Sequence, residues 1–395
     1  MAFIHGLAHV LPEHEYAQED IRTMLGRGLE PGSREARFME RIYRQSDIDT
    51  RYSVIPDYRQ HGPDGVFFDG YDGRWQKPTT GQRNAIYARQ APALFERAAR
   101  GAAQAARRAG SDVELANVTH VITVSCTGFM APGPDFELVK RLGLPPSTAR
   151  MHFGFMGCYA AIPALRTAAT IVTAHPEAVV LVACVELCTL HLQADNTEID
   201  ALVSASVFAD GGAAALVAAA PPGHGYHLDS FHSHVAPGSE ADMAWTIGDN
   251  GFDMVLSTYV PDILEANVPD LLAGAGIEQG AAGATGKDVD IWAVHPGGRA
   301  ILDKVARGLE LDRPSGESRL SGNRDDGWTD PLAASRRVLR SYGNMSSPTI
   351  LFVLEDLLTG EGAAVGPPDA AVCALAFGPG LTVETAMLRR VGGGT

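Results

Sequence analysis

The chain has 395 residues, enough for one large domain or two of average size. Its 45% hydrophobic and 20% charged content is that of a globular protein and excludes a disordered chain or a fibre. A net charge of −15 excludes a protein whose whole surface tracks nucleic acid.

The opening Met-Ala-Phe-Ile-His-Gly has no basic region before an apolar stretch, so no secretory signal is expected. No apolar run approaches the roughly 18 residues of a membrane span. Cys126, Cys158, Cys184, Cys188 and Cys373 form an odd set without zinc-finger spacing. They favour neither a disulfide framework nor a zinc site, and point to a reducing, cytoplasmic setting. A basic and aromatic stretch from Arg34 to Tyr52 carries Arg34, Arg37, Arg41, Arg44 and Arg51. It reads equally as a solvated helix face or a local cationic site.

Residues 61–75, rich in glycine and aspartate, read as a loop. Alanines and leucines at helical spacing predict a helix from Arg89 to Ala109. A β-branched strand, Val118 to Val124, runs into Ser125-Cys126-Thr127-Gly128. The stretch Met151 to Ala161 then places Cys158 just ahead of an apolar helix, Ile162 to Ala174, with Pro163 suited to its first turn. Amide N–H groups and the macrodipole at such a helix end favour a thiolate. Taken alone, however, Cys158 reads first as a buried structural thiol.

Ala178 to Leu187 is almost continuously apolar, the mark of a strand covered on both faces. Phe208 leads into Asp210-Gly211-Gly212 and a strand from Ala213 to Ala220. Pro-Pro-Gly-His-Gly at 221–225 is the candidate boundary between halves 1–222 and 223–395. The second half predicts a helix at 260–273, a Gly/Ala-rich loop at 273–286 and a strand from Val289 to Val294. A polar loop at 313–330 and a helix from Leu332 to Ser341 follow. Ser347 reads as the N-cap and Pro348 as the first residue of a helix reaching Leu358. Strands Ala371 to Phe377 and Leu381 to Leu388 close the chain. Strands alternating with helices in both halves predict a layered α/β fold.

Two further stretches look like site loops: Trp292-Ala-Val-His295-Pro-Gly-Gly298 and Tyr342-Gly-Asn344-Met-Ser-Ser-Pro348. Separately, His295 reads as a core histidine and Asn344 as a left-handed turn residue. With Cys158 they make a chemical set. A thiolate needs an imidazolium or a helix N-terminus to lower its pKa, and acyl transfer needs donors aimed at the oxygen that becomes negative. Imidazole and carboxamide donate without repelling an enolate, which an aspartate at 344 would not.

Gly157-Cys158-Tyr159-Ala160, His295-Pro296-Gly297-Gly298, Tyr342-Gly343-Asn344-Met345-Ser346-Ser347 and Phe377-Gly378-Pro379-Gly380-Leu381-Thr382-Val383-Glu384-Thr385 together resemble the motifs of the type III polyketide synthases, the chalcone synthase superfamily. The similarity runs in order from about residue 35 to the end. It implies a thiolase fold, two pseudo-symmetric αβαβα halves in five layers, working as a homodimer. It also implies a mechanism without metal or organic cofactor. Cys158 takes a starter acyl group from coenzyme A, and malonyl-CoA loses CO2 beside His295 and Asn344. The resulting carbanion then attacks the Cys158 thioester.

By the same resemblance Phe208 is a gate, with Met254 where plant members carry a second phenylalanine. Arg41 holds coenzyme A phosphate, and Arg37 or Arg44 supplies the charge lost where Phe38 and Gln45 replace lysines. Cys126, Thr127, Ala131, Cys188 and His191 line the cavity or the dimer wall. Phe377, Gly378 and Pro379 form a cavity loop in which Ala376 replaces a glycine. The segment 185–193 resembles bacterial members, some of which take fatty acyl starters, and this implies an acyl starter extended to a pyrone or resorcinol. A malonyl-only tetrahydroxynaphthalene synthase, a single-round ketoacyl synthase and a non-catalytic acyl-binding protein are the alternatives. Whether the starter arrives on coenzyme A or on an acyl carrier protein is left open.

Overall fold

The structure, a computed structural model, describes residues 1–58, 65–68, 75–193, 195–257, 259–274, 289–311, 330–360, 367 and 369–392. Most of the loops expected at 61–75, 273–286 and 313–330 lies outside these residues.

The chain opens with β1 (Phe3–Val10), β2 (His14–Ala17), α1 (Gln18–Gly26), α2 (Arg34–Arg44), β3 (Thr50–Ser53) and α3 (Thr80–Arg108). Next come β4 (His120–Ser125), α4 (Pro134–Leu142), β5 (Ala149–Gly154), α5 (Ala161–Ala174), β6 (Val180–Leu187), α6 (Ile199–Val207) and β7 (Asp210–Ala218). The second half holds β8 (Gly225–Val235), β9 (Met243–Gly248), β10 (Gly251–Leu256), α7 (Val260–Gly274), β11 (Ile291–Val294) and α8 (Arg299–Gly308). It ends with α9 (Ala333–Tyr342), α10 (Thr349–Thr359), β12 (Ala371–Gly378) and β13 (Thr382–Val391).

Nine strands are ordered β11-β12-β13-β8-β1-β7-β6-β4-β5. The first-half strands and the second-half strands meet where Phe3 pairs with His227 and Ile4 with Tyr226. Helix α3 covers one face of the first-half strands. Helices α5 and α10 lie between the two sets of strands in one apolar core with Ile122, Val182, Ala374 and Leu388. Helices α7 and α8 cover the far side of the second set. The order is therefore helix, sheet, helix pair, sheet, helix.

Strand β6 is buried at all eight positions, parallel to β4 and antiparallel to β7, as its continuous apolar run requires. Helix α3 starts nine residues before the predicted Arg89, because Thr79 and Gln82 close a capping box ahead of a polar first turn. Ser347 does not cap α10. Pro348 holds the N-cap position, and the Ser347 hydroxyl donates instead to Glu186, at 2.5 Å. The Thr349 hydroxyl accepts from the Met345 N–H.

Candidate active site

Gly157 stands at φ 95°, where a side chain is strained, and a Cβ there would meet Trp245 Cη2 at 2.6 Å and Pro379 Cδ at 2.7 Å. That glycine turns the chain so that Cys158 precedes the uncapped N-terminus of α5. Cys158 touches the side chains of Asn344 and Ser346, and with Ser346 lines a cavity shared with Cys126, Thr127, Phe208 and Met254. Burial pushes its thiol up to about 11, against the pull of those two side chains and its own amide. Desolvation thus opposes the thiolate that the helix end favours.

Asn344 is fixed by its main chain. Its N–H donates to Val207 O at 2.9 Å, and its carbonyl accepts from Ala209 N–H at 2.9 Å, so that Phe208 and Asn344 form a parallel bridge. Its side chain donates to Gly297 O at 3.3 Å and accepts from Ser346 N–H at 2.8 Å. Asn344 is not the left-handed residue of its loop. Gly343 (φ 72°) and Ser346 (φ 59°) take those conformations.

His295 follows directly on β11, its N–H donating to Leu375 O at 2.8 Å. It is buried, neither ring nitrogen has a partner, and burial lowers it to about 3, so the imidazole is neutral. Its ring and the Asn344 carboxamide both border Gly297.

Cys188, His191 and Met254 line the same cavity, and the Ser204 hydroxyl reaches Met254 Sδ at 3.4 Å. Gly378 and Pro379 pack on Tyr159 and Gly157, beside Cys158. Phe377 instead enters the apolar core under α7 and α8. Ala131 is exposed on the loop before α4 and is not part of the cavity wall of a single chain.

Arg37 and Arg41, with Arg34, Phe38 and Glu35, line a groove between α2 and the start of α6. Arg44 lies outside that lining and pairs with Glu40 at 2.6 Å. Helix α6 stands between groove and cavity: Leu202 faces the first, Ala201, Ser204 and Ala205 the second.

Sequence reading passed over Glu186. It is buried in β6 and accepts from Cys126 N–H at 2.9 Å, Thr127 at 2.8 Å and Ser347 at 2.5 Å. Burial pushes it up to about 7. A lone acid inside the apolar run 180–187 was the available signal. Trp245 and Phe252 of the β9–β10 hairpin were also passed over as cavity wall.

The model of the N-terminal domain of chalcone and stilbene synthases matches residues 4–221, and that of their C-terminal domain residues 227–392. The chain is 32% identical to the alpha-pyrone synthesis polyketide synthase-like Pks18 of Mycobacterium tuberculosis, across 97% of this chain and 90% of that one. It is 30% identical to the 1,3,6,8-tetrahydroxynaphthalene synthase of Streptomyces peucetius subsp. caesius, across 96% and 90%. Among solved structures it resembles PKS-I of the brown alga Ectocarpus siliculosus, with TM-score 0.82, 30% identity and 99% and 98% of the two chains covered. It also resembles the tetrahydroxynaphthalene synthase of Streptomyces coelicolor A3(2), with TM-score 0.79, 26% identity and 99% and 100% of the two chains covered. The five layers are those of the thiolase fold expected from the motifs.

Proposed function

The chain belongs to the chalcone and stilbene synthase family, the type III polyketide synthases, and from that premise we propose that it condenses malonyl-CoA iteratively onto an acyl-CoA starter and cyclises the product to a pyrone or resorcinol. The observation that carries this reading is the side-chain contact of Cys158, on the cavity wall, with Asn344, from the opposite half of the chain. Those halves are 1–222, with the nucleophile, and 223–395, with the imidazole and carboxamide.

Burial favours the neutral forms of both the Cys158 thiol and the His295 imidazole. As the starter thioester docks, the Cys158 proton passes to His295, sulfur attacks the carbonyl, and the departing coenzyme A sulfur takes the proton. Malonyl-CoA then loses CO2 while its thioester oxygen, becoming an enolate, is held by the imidazole N–H and the Asn344 carboxamide. The carbanion attacks the acyl carbon on Cys158, the bond from that carbon to Sγ breaks with release of the Cys158 thiolate, and the lengthened chain leaves on coenzyme A. Oriented donors in a buried site supply the acceleration, and no organic cofactor enters a step.

Arg37 and Arg41 bind the coenzyme A phosphates in the α2 groove, with Arg34 in place of Arg44. Phe208 and Met254 form the gate. Ala131 reaches the cavity of a partner subunit in a homodimer. The exposed edge of β5, with Ala149, Arg150 and His152 open and Phe129 and Phe136 uncovered, suits such pairing. The five free cysteines suit the cytoplasm; no described helix is long and apolar enough to cross a membrane. An acyl carrier protein is the alternative starter donor. One observation favours the malonyl-only reading, the tetrahydroxynaphthalene type: Trp245 lies against Gly157 and narrows the space beside Cys158.

Pure protein incubated with malonyl-CoA and a ladder of acyl-CoA starters, with products read by mass, tests the proposal. Several acetate units in a cyclised product are expected. A single unit would make it a one-round condensing enzyme, and no malonyl-CoA consumption with any starter would make it non-catalytic.

A further inference from the structure

Of the five arginines between residues 34 and 52, four are exposed on α2, and Arg51 alone is buried, 3% exposed, in β3. Neither the α2 groove nor the chemical steps above use it. Among the described residues its guanidinium meets only neutral acceptors. Nε donates to Gln18 Oε1 at 2.8 Å, and Nη1 donates to Ala205 O at 2.8 Å and to Phe208 O at 2.7 Å. Nη2 reaches the Tyr43 hydroxyl at 3.5 Å. A buried cation is costly without compensation, so the negative charge facing it has to come from something other than a carboxylate.

It comes from the C-terminus of α6. The last carbonyls of a helix have no partner inside it and carry the negative end of its dipole. In α6 each is met from outside the helix. Ser204 O accepts from the Phe208 N–H at 3.1 Å, and Ser206 O from Gln18 Nε2 at 2.8 Å. Ala205 O accepts from the Tyr43 hydroxyl at 2.8 Å as well as from Arg51. Val207 O accepts from the Asn344 N–H at 2.9 Å. Arg51 therefore holds the chain on both sides of the carbonyl that receives Asn344. Its stem also bears on the preceding residue: a Cβ on Gly343 would meet Arg51 Cγ at 2.9 Å and Val207 O at 2.9 Å.

The geometry points to Arg51 as a positioning residue for Asn344, fixing the 205–208 carbonyls and the Gly343 turn between which the carboxamide-bearing residue is hung. It acts through the main chain and not on the substrate. The assignment rests on the function proposed above, in which the carboxamide holds the forming enolate. A donor displaced from that oxygen gives up stabilisation that exists only in the transition state, so CO2 release slows. Starter loading on Cys158 does not involve the carboxamide and is spared.

Arg51→Lys keeps the charge and removes the planar fork that reaches Gln18 and both carbonyls together. It is expected to lower kcat for labelled CO2 release from [14C]malonyl-CoA about tenfold, with KM within about twofold. Gln18→Met leaves Arg51 in place but unsupported at Nε, and is expected to lower the same kcat about threefold. Acyl transfer to Cys158, read by intact mass, should stay within about twofold in both variants. In an Asn344→Ala background, Arg51→Lys should add less than about twofold, because the group it positions is gone. The amides of Asn344 and Ala209, which make the bridge to 207–209, should exchange with deuterium about tenfold faster in Arg51→Lys. A loss that persists in full in Asn344→Ala, loading that falls in step with CO2 release, or unchanged amide exchange overturns the inference. A wild type that releases no CO2, while Arg51→Lys still frees the two amides, refutes the function and leaves the positioning role standing.

Discussion

Replacing Asn344 by aspartate changes one atom pair in a buried site. The wild-type carboxamide donates to Gly297 O at 3.3 Å and accepts from Ser346 N–H at 2.8 Å. Aspartate keeps the second bond and turns the first into two oxygens facing each other. A charge about 4 Å from the forming enolate, at an effective dielectric of about 20, opposes it by about 4 kcal/mol. That corresponds to a loss of about 10³-fold in decarboxylation at pH 8. Burial raises the new carboxyl, so it protonates as pH falls, and the acid can again donate. The loss should therefore shrink below about pH 6 and grow as pH rises through the raised pKa. Asn344→Ala, which loses only the donor, should fall about 10²-fold without that pH trend. Release of labelled CO2 from [14C]malonyl-CoA measures both. Wild-type rates in Asn344→Asp at pH 8 would remove the carboxamide from the reaction.

Cys158→Ala should abolish starter loading and product while keeping at least part of the decarboxylation; full-length product by mass would dismiss Cys158 as nucleophile. With its thiol raised to about 11, alkylation of Cys158 by iodoacetamide should climb about tenfold per pH unit from about pH 7 to about pH 10. A plateau near neutrality in peptide mass mapping would mean a resting thiolate. Arg41→Glu should raise KM for the acyl-CoA about tenfold, whereas Arg44→Glu, outside the groove, should leave it within about twofold. Similar KM values for the two would contradict the groove assignment. Gly157→Ala combines a left-handed backbone with overpacking on Trp245 and should destabilise by about 2–5 kcal/mol in a urea melt; a change under about 0.5 kcal/mol would refute the strain.

The layered fold and the helix behind Cys158 were legible because apolar runs such as 180–187 and 162–174 carry their burial in their composition. Helix ends were less so: Ser347 has the chemistry of a cap, but the acceptor offered by Glu186, distant in sequence, takes its hydroxyl. The same distance hid the carboxylate network. For Cys158, the helix end that favours a thiolate is visible in sequence, and the depth of burial that opposes it is not. Trp245 escaped notice since a single tryptophan in a polar stretch, 237–250, has no periodicity to place it. Arg44 shares the spacing of Arg37 and Arg41 but has Glu40 one turn back as a competing partner.

The bridge between Phe208 and Asn344 ties the proposed gate to the proposed enolate-holding carboxamide by two main-chain hydrogen bonds. An acyl group too wide for the entrance displaces the phenylalanine only by tugging the strand that aims the carboxamide. Engineering a broader entrance at 208 will therefore register first as sluggish CO2 release, before any new starter is detected among the products.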